Sequence, residues 1–356
     1  MTGENGTGVI YDRPKPNFPY QPSQELQNLD NIFQIYIPPV MIVLGSIGNL
    51  LTLAVMKRKS FQNASIGFYL IAYAISCLLT LYLLLGSEWL TKILKVKGID
   101  ERADWMCRLW QFIVRVFSYS GIWFVVAMLI DRYIVIWHPK RANALSSKFM
   151  AKFVVVIIFV GLVVISIHAM WTYELMPNSG CYMFHREDDI HAMIWPWVSA
   201  GFYSYIPLML VFVFNVLILT GLCLKRPWKM HQSQENTSLL LSYTTIGLSM
   251  LYFILVLPAT VMNIVNITYP PSWLQNQELM VQIHKAMYAT HYMAWLNTTI
   301  LFHVCIVFSR TFRKEFWEML TSSLCLRHRS RIYELQTASC SSGAQLEETC
   351  AESTPL

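Results

Sequence analysis

Charged side chains interrupt long apolar stretches of this sequence at three places. Asp131-Arg132-Tyr133 ends one stretch, Arg115 lies within the same stretch, and Glu88 lies near the end of another. Ionisable groups at membrane depth are costly, so they usually pair with one another or serve a function. Asp131 could hold Arg132 in an ion pair that opens when the protein changes state. The alternative is an arginine that reaches the membrane surface and only anchors the helix end.

Glu88 and Arg115 could together recognise a polar ligand. An acid and a base between aromatic walls suit a peptide that has a cationic side chain and polar backbone groups. We expect Asn263, Tyr288 and His291 to contribute to the same ligand-binding cavity. An equally good interpretation is an internal salt bridge between Glu88 and Arg115 that ties two helices together, and a ligand could displace that pair.

The elements that must position these residues are membrane-spanning helices. The 356 residues are 55% hydrophobic and only 13% charged, with a mean hydropathy of +0.42, whereas roughly a quarter of the residues of a soluble domain are charged. Seven apolar windows are long enough to cross a bilayer. The sequence therefore predicts an all-α membrane protein, a seven-transmembrane helix bundle. The windows are 33–57, 65–91, 104–137, 148–173, 193–225, 236–268 and 279–308.

Basic residues predict the orientation of this bundle. The net charge of +6 comes from short clusters after the first, third, fifth and seventh windows, rather than from a nucleic-acid-binding surface. Cytoplasmic loops carry the excess of Lys and Arg, so we expect an extracellular N-terminus and a cytoplasmic C-terminus in a multi-pass plasma membrane protein. The clusters are Lys57-Arg58-Lys59; Lys140, Arg141, Lys148 and Lys152; Lys225, Arg226 and Lys229; and Arg310, Arg313 and Lys314.

This orientation places two of the eight cysteines on the oxidising side, Cys107 and Cys181. A disulfide between them is the natural pairing, and two unpaired thiols are the alternative. We expect no cofactor and no metal site.

The regions outside the bundle have compositions of their own. Residues 1–32 form an extracellular tail with a glycosylation sequon at Asn5. Residues 309–325 alternate basic and aromatic residues at helical spacing, which predicts an amphipathic helix on the inner leaflet with a palmitoylation site at Cys325. Residues 326–356 are predicted to be a disordered cytoplasmic tail.

Together these features resemble a rhodopsin-like (class A) G-protein-coupled receptor over about residues 33–325. The resemblance implies an extracellular ligand, a heterotrimeric G protein that docks beside Arg132, and arrestin and a receptor kinase acting on the tail, with membrane lipids around the bundle. The residues that carry it are Cys107, Asp131-Arg132-Tyr133, Gly48-Asn49, Pro139, Pro207, Pro258, and Ser309 with Phe312-Arg313.

Three switch motifs of that family are altered. Cys77 stands where the family has a sodium-coordinating Asp in the second span, and Val256 replaces the Trp before Pro258. Leu301 to Cys305 replaces the Asn-Pro-x-x-Tyr motif of the seventh span. We therefore predict agonist affinity that is nearly independent of sodium, and raised basal signalling.

The ligand is the least determined feature. Val114 excludes the Asp of amine receptors, and Trp295 excludes a retinal-binding Lys. The stretch from Ser118 to Ala142, with Asn215 in the fifth span, resembles invertebrate neuropeptide receptors of the FMRFamide and myosuppressin-like groups. This resemblance implies an amidated, Arg-containing neuropeptide as the ligand.

Two alternatives remain open. One is an atypical receptor with constitutive or non-peptide-driven signalling. The other is a transporter or channel, although the halves of the chain show no repeat of the kind transporters carry. An enzyme is not expected, since no paired intramembrane Asp or His-Glu-x-x-His motif is present.

Overall fold

In the computed structural model of this protein, the described residues are 31–62, 64–176, 180–183, 194, 197–225, 233–268 and 277–322. Asn5, Cys325 and residues 326–356 lie outside these ranges, so the predicted glycosylation, palmitoylation and tail are not described by it.

The described chain is a bundle of long apolar helices. Six are long and apolar enough to cross a membrane, and the bent pair α7–α8 supplies a seventh crossing. The predicted seven-transmembrane all-α fold is therefore confirmed. The helices are α1 Ile32–Met56, α2 Ser65–Leu94, α3 Asp104–Trp137, α4 Lys148–Thr172, α5 Trp197–Leu224, α6 Ser233–Thr268, α7 Gln277–Leu296 and α8 Leu301–Phe308, followed by a separate helix α9 at 310–322.

Helix α3 is the central element of the bundle. It packs against α2, α4, α5 and α6 and begins beneath a β-hairpin. Its side chains Val125, Met128 and Leu129 are fully buried among these neighbours. The end of α3 that carries Cys107 is called the outer end below, and the end that carries Arg132 the inner end.

The β-hairpin consists of β1 Tyr173–Met176 and β2 Gly180–Met183, paired antiparallel. Leu175 lies opposite Cys181 in this ladder. Cys181 is joined to Cys107 by a disulfide with 5.5 Å between the Cα atoms, so the predicted pairing is confirmed. The bond fixes the hairpin to the start of α3.

The seventh span breaks between α7 and α8, where the sequence predicts one continuous helix. The two parts are bent by 54°. The hydroxyls of Thr298 and Thr299 donate to backbone carbonyls three residues earlier, at 2.7 and 2.8 Å. The Asn49 amide donates to the Thr298 carbonyl at 2.8 Å. Side chains thus satisfy backbone groups at the break, without the proline that usually causes a kink.

Helix α1 lies close to this break because two glycines face it. A Cβ atom on Gly48 would lie 3.1 Å from the Phe302 Cβ, and one on Gly45 would lie 3.1 Å from the Thr299 Cγ2. Small residues permit such close helix contacts in membranes.

Besides the π-helical start of α1 at Ile32–Tyr36, two of the described helices contain an internal π-helical segment, at Leu81–Gly86 in α2 and Gly201–Tyr205 in α5. Pro207 follows the second segment and lacks the N–H that would continue the regular pattern. A π-segment changes which side of the helix the following residues face, and such segments are frequent at functional sites. Glu88 follows the first segment, so its direction does not follow from ideal helical spacing.

Candidate functional site

The inner end of α3 holds a buried ion pair. Arg132 donates to the Asp131 carboxylate through its Nε at 3.0 Å and through Nη2. Nη2 also lies 3.2 Å from the Ser65 Oγ and 3.3 Å from the Ser146 Oγ. Only 4% of each of the two paired residues is exposed. This pair therefore links α3 to the start of α2 and to the loop before α4.

Tyr133 does not take part in this network. Its ring packs edge-on against Phe214 of α5 at 5.6 Å and lies 6.3 Å from the ring of Trp137. The Trp137 indole donates to the Leu217 carbonyl at 2.8 Å. The three consecutive residues thus have two different surroundings, and Tyr133 belongs to the packing between α3 and α5.

Arg115 lies near the outer end of the same helix, in an aromatic environment. Its guanidinium donates to the Tyr173 hydroxyl and lies 4.5 Å from the centre of that ring. Nη1 also contacts the Gln111 carbonyl at 3.4 Å, while Nε is buried without a hydrogen-bond partner. Among the described residues, no carboxylate forms an ion pair with Arg115.

Further tyrosines line the bundle one turn deeper. The rings of Tyr119 and Tyr203 stack at 3.9 Å, and the Tyr203 hydroxyl lies 3.1 Å from the Ser166 Oγ. Arg115 therefore faces the side of the bundle formed by α3, α4, α5 and β1.

Glu88 does not pair with Arg115, so the alternative of an internal salt bridge between them is not supported. Glu88 is exposed at the outer end of α2. Asp100, in the loop between α2 and α3, is another acid at this end of the bundle. Partial burial raises the pKa of the Asp100 carboxyl above its usual value.

Tyr288 and His291 lie on the α1–α2 side. Tyr288 accepts a hydrogen bond from Gln34 and packs against a cluster of buried residues from α1, α2 and α7. His291 is exposed and contacts the Trp295 ring edge-on at 4.5 Å. Asn263, the remaining predicted ligand residue, is exposed on α6. The predicted site is therefore divided between two sides of the bundle.

Two ion pairs that the sequence reasoning missed hold the hairpin in place. Arg108 pairs with Asp104 at 2.8 Å and with Glu174 of β1 at 3.6 Å. The Asp104 carboxylate also accepts from the Leu175 N–H at 3.0 Å. Asp104 and Arg108 are spaced four residues apart on one helix face, a pattern visible in the sequence, but their partner on β1 is not.

Polar contacts within the bundle were also missed. The Ser249 hydroxyl donates to the Asn215 Oδ1 at 2.8 Å, which joins α5 to α6, and Asn215 is fully buried. Ser76 and Ser120 contact each other at 2.7 Å between α2 and α3. Cys77, the next residue along α2, is also buried. The sequence indicates these contacts only through serines within apolar helices. Such serines are too common for the sequence to show which of them form contacts between helices. Among the described residues, no cluster of three His, Cys, Asp or Glu side chains could hold a metal ion.

Comparison with known proteins agrees with this geometry. Residues 48–300 match the family described as 7 transmembrane receptor (rhodopsin family). The chain belongs to this family. The match covers more than half of the chain and includes the disulfide, the buried ion pair and Arg115.

Individual relatives are distant. The chain is 29% identical to human G-protein coupled receptor 35, over 55% of this chain and 60% of that protein. It is 23% identical to mouse atypical chemokine receptor 2, over 48% and 44% of the two chains. It is 22% identical to a probable G-protein coupled receptor of Caenorhabditis elegans, over 58% and 50%. The chain thus spans about half the length of the curated relatives it matches.

Proposed function

We propose that this protein is a plasma membrane receptor that binds an extracellular peptide and activates a heterotrimeric G protein. Membership of the rhodopsin family supports the receptor role. The basic clusters support an extracellular N-terminus and a cytoplasmic C-terminus. The peptide, its amidation and the resemblance to invertebrate neuropeptide receptors are proposals that rest on the ligand-binding residues.

The observation that carries the ligand proposal is the environment of Arg115. A half-buried cation without a carboxylate partner is costly, and here a tyrosine hydroxyl and an aromatic face compensate only part of that cost, since the Nε stays buried without a partner. A ligand that offers oxygen acceptors to the guanidinium would supply the rest. Peptide carbonyls, including that of a C-terminal amide, are such acceptors.

Glu88 supplies the complementary charge. Its carboxylate is not used by Arg115 and is exposed at the outer end of α2, so a cationic ligand group can reach it. A peptide with an arginine side chain near Glu88 and carbonyl oxygens near Arg115 would contact both sides of the bundle. Tyr288, His291 and Asn263 would then line the remaining space.

At the inner end we propose that the Asp131–Arg132 pair keeps the receptor at rest. Opening this pair would free the guanidinium for the G protein, and the contacts of Arg132 with the Ser65 and Ser146 hydroxyls would be broken at the same time. Arrestin and a receptor kinase are proposed partners of the tail, Asn5 is a proposed glycosylation site, and Cys325 is a proposed palmitoylation site.

The proposal is tested by screening amidated neuropeptides on cells that express this chain with a promiscuous G protein. We expect an Arg-containing peptide to raise intracellular calcium. Arg132→Gln should abolish that response while peptide affinity, measured on the receptors that reach the surface, stays unchanged.

Three results would contradict the proposal. High basal signalling with no response to any peptide would favour an atypical, constitutively active receptor. Activation by a non-peptide ligand alone would exclude the peptide. An ion current that persists without G protein would indicate a channel.

A further inference from the structure

Helices α5 and α6 are joined by two polar contacts, one on each side of Pro258. Toward the outer end, the Ser204 and Thr260 hydroxyls lie 2.7 Å apart. Toward the inner end, the Ser249 hydroxyl donates to the Asn215 Oδ1 at 2.8 Å. Pro258 lies inside α6 and has no N–H to continue the helical hydrogen bonds, which weakens the helix at that point. The part of α6 before this proline, residues 233–257, is called the inner arm below.

Both partners of the inner contact are fully buried. An asparagine within an apolar helix is costly unless its amide is hydrogen-bonded. The Asn215 Nδ2 donates to the Val211 carbonyl of its own helix at 2.8 Å, which orients the amide and directs its Oδ1 at α6. The side chain is thus prepared for one contact across the interface between the two helices.

The Ser249 hydroxyl has a second acceptor within its own helix. Its Oγ lies 3.1 Å from the Ile246 carbonyl, three residues earlier. A serine hydroxyl has one proton to donate, so it can keep the Ile246 contact when the bond to Asn215 is broken. Opening the contact therefore leaves no unpaired donor on α6, whereas opening the Asp131–Arg132 pair separates two buried charges.

The ion pair at the inner end of α3 does not hold α6. The Arg132 guanidinium donates to Asp131 and lies beside the Ser65 and Ser146 hydroxyls, which belong to α2 and to the loop before α4. Within the described part of the chain, none of its hydrogen bonds goes to α6. Because α6 packs against both α3 and α5, its inner arm must be held by contacts other than this pair.

We propose that the Ser249–Asn215 hydrogen bond, called the α5–α6 clasp below, holds the inner arm of α6 against α5 and closes the inner end of the bundle. Breaking it lets the inner arm swing outward about Pro258, while the Ser204–Thr260 contact keeps the outer part of α6 in place. Ser249 and Asn215 are positioning residues, since they act by setting where α6 lies. That the closed end excludes a G protein rests on the proposed function, whereas the closure itself does not.

The test measures the distance between spin labels on the inner ends of α5 and α6, in the purified full-length chain in lipid nanodiscs. Leu224 and Tyr243, which are both exposed, carry the labels through keto amino acids, so that the native cysteines stay unlabelled. The clasp variant is Ser249→Ala. Its matched control, Thr260→Val, removes the hydroxyl of the outer contact, and Ser249→Thr keeps a hydroxyl at the inner one.

We expect Ser249→Ala to increase the population with the longer label distance about threefold, which corresponds to the average strength of a hydrogen bond between membrane helices. Thr260→Val and Ser249→Thr should leave the distances unchanged. Adding Ser249→Ala to Asn215→Leu should have no further effect, because the two side chains act through one bond. Unchanged distances in Ser249→Ala, or an equal change in Thr260→Val, would overturn the proposal. If Ser249→Ala does not fold, Asn215→Leu decides the question from α5.

Basal nucleotide exchange by a promiscuous G protein, measured on the same preparations, separates the clasp from the proposed function. Ser249→Ala should raise the exchange rate about threefold, in proportion to the open population. Longer distances without faster exchange would contradict the G-protein role and support the clasp. A lower unfolding temperature with unchanged distances would show that the pair only stabilises the bundle, which would overturn the clasp.

Discussion

Helix α3 carries two arginines in opposite circumstances. At the inner end, Arg132 is almost fully buried and has a carboxylate and two serine hydroxyls as partners. At the outer end, Arg115 has a tyrosine, a single carbonyl and a buried Nε without a partner. Asp131 neutralises Arg132 within the protein, whereas no carboxylate among the described residues neutralises Arg115.

This difference indicates how one helix can serve two ends of a receptor. A buried ion pair resists opening, because removing either partner leaves an unpaired charge. The buried pair formed by Arg132 is therefore suited to stabilising a resting conformation until a ligand binds. Arg115 suits recognition, because a ligand acceptor gains an interaction without first displacing a carboxylate.

The largest effect should come from breaking the inner pair. Asp131→Asn leaves Arg132 buried without its carboxylate, so we expect the free energy of unfolding to fall by about 3–5 kcal/mol and basal signalling to rise. Thermal unfolding in detergent and basal G-protein activation measure the two effects. Tyr133→Phe is the control, since the Tyr133 ring only packs against neighbouring rings; equal unfolding temperatures for both variants would contradict the pairing.

Removing the outer cation should weaken binding rather than stability. Arg115→Met should reduce peptide affinity by about 1.5–3 kcal/mol, the usual contribution of a hydrogen bond to a charged group. Stability should change little, because no carboxylate is left unpaired. Peptide binding and thermal unfolding are compared in one preparation. A stability loss as large as that of Asp131→Asn would remove the distinction between the two arginines.

Glu88 tests whether the ligand contacts both sides of the bundle. Glu88→Gln should weaken an Arg-containing peptide agonist at least tenfold, about 1.4 kcal/mol. Replacing the peptide's arginine with glutamine should cause a similar loss on the unmodified receptor and little further loss on Glu88→Gln. Unchanged potency with normal surface expression would exclude Glu88 from the site.

Tyr173→Phe removes the hydroxyl beside Arg115 and keeps the ring. We expect ligand affinity to change by about 1 kcal/mol or less, the usual net contribution of one hydrogen bond, because the cation–π contact remains. Tyr173→Ala removes both contacts and should have the larger effect. Identical binding by both variants would show that the hairpin does not position Arg115.

The smallest expected effect is that of sodium. Cys77 occupies the position of the carboxylate that coordinates sodium in similar receptors, so agonist affinity should be the same in sodium and in an equimolar organic cation. Competition binding in the two buffers measures this. A clear decrease in affinity in sodium would contradict the prediction and indicate another cation site.

The sequence by itself determined the membrane fold and the disulfide. Apolar windows predict transmembrane helices directly. In the bilayer every backbone N–H and C=O group must be hydrogen-bonded internally, and a helix does this within one segment of the chain. Cys107 and Cys181 could be paired because only two cysteines were expected on the oxidising side. The start and end of α3 could also be predicted, because polar residues flank its apolar stretch.

The tertiary structure alone decided which charges meet. Glu88 and Arg115 looked like partners by type and depth, but a π-helical segment precedes Glu88 and the hairpin brings Tyr173 to Arg115 instead. At the break, Asn297–Ile300, the Thr298 carbonyl accepts a hydrogen bond from Asn49 of α1, a contact across 249 positions of sequence. Helical spacing describes one helix at a time, whereas pairing of side chains depends on how helices rotate and pack against each other.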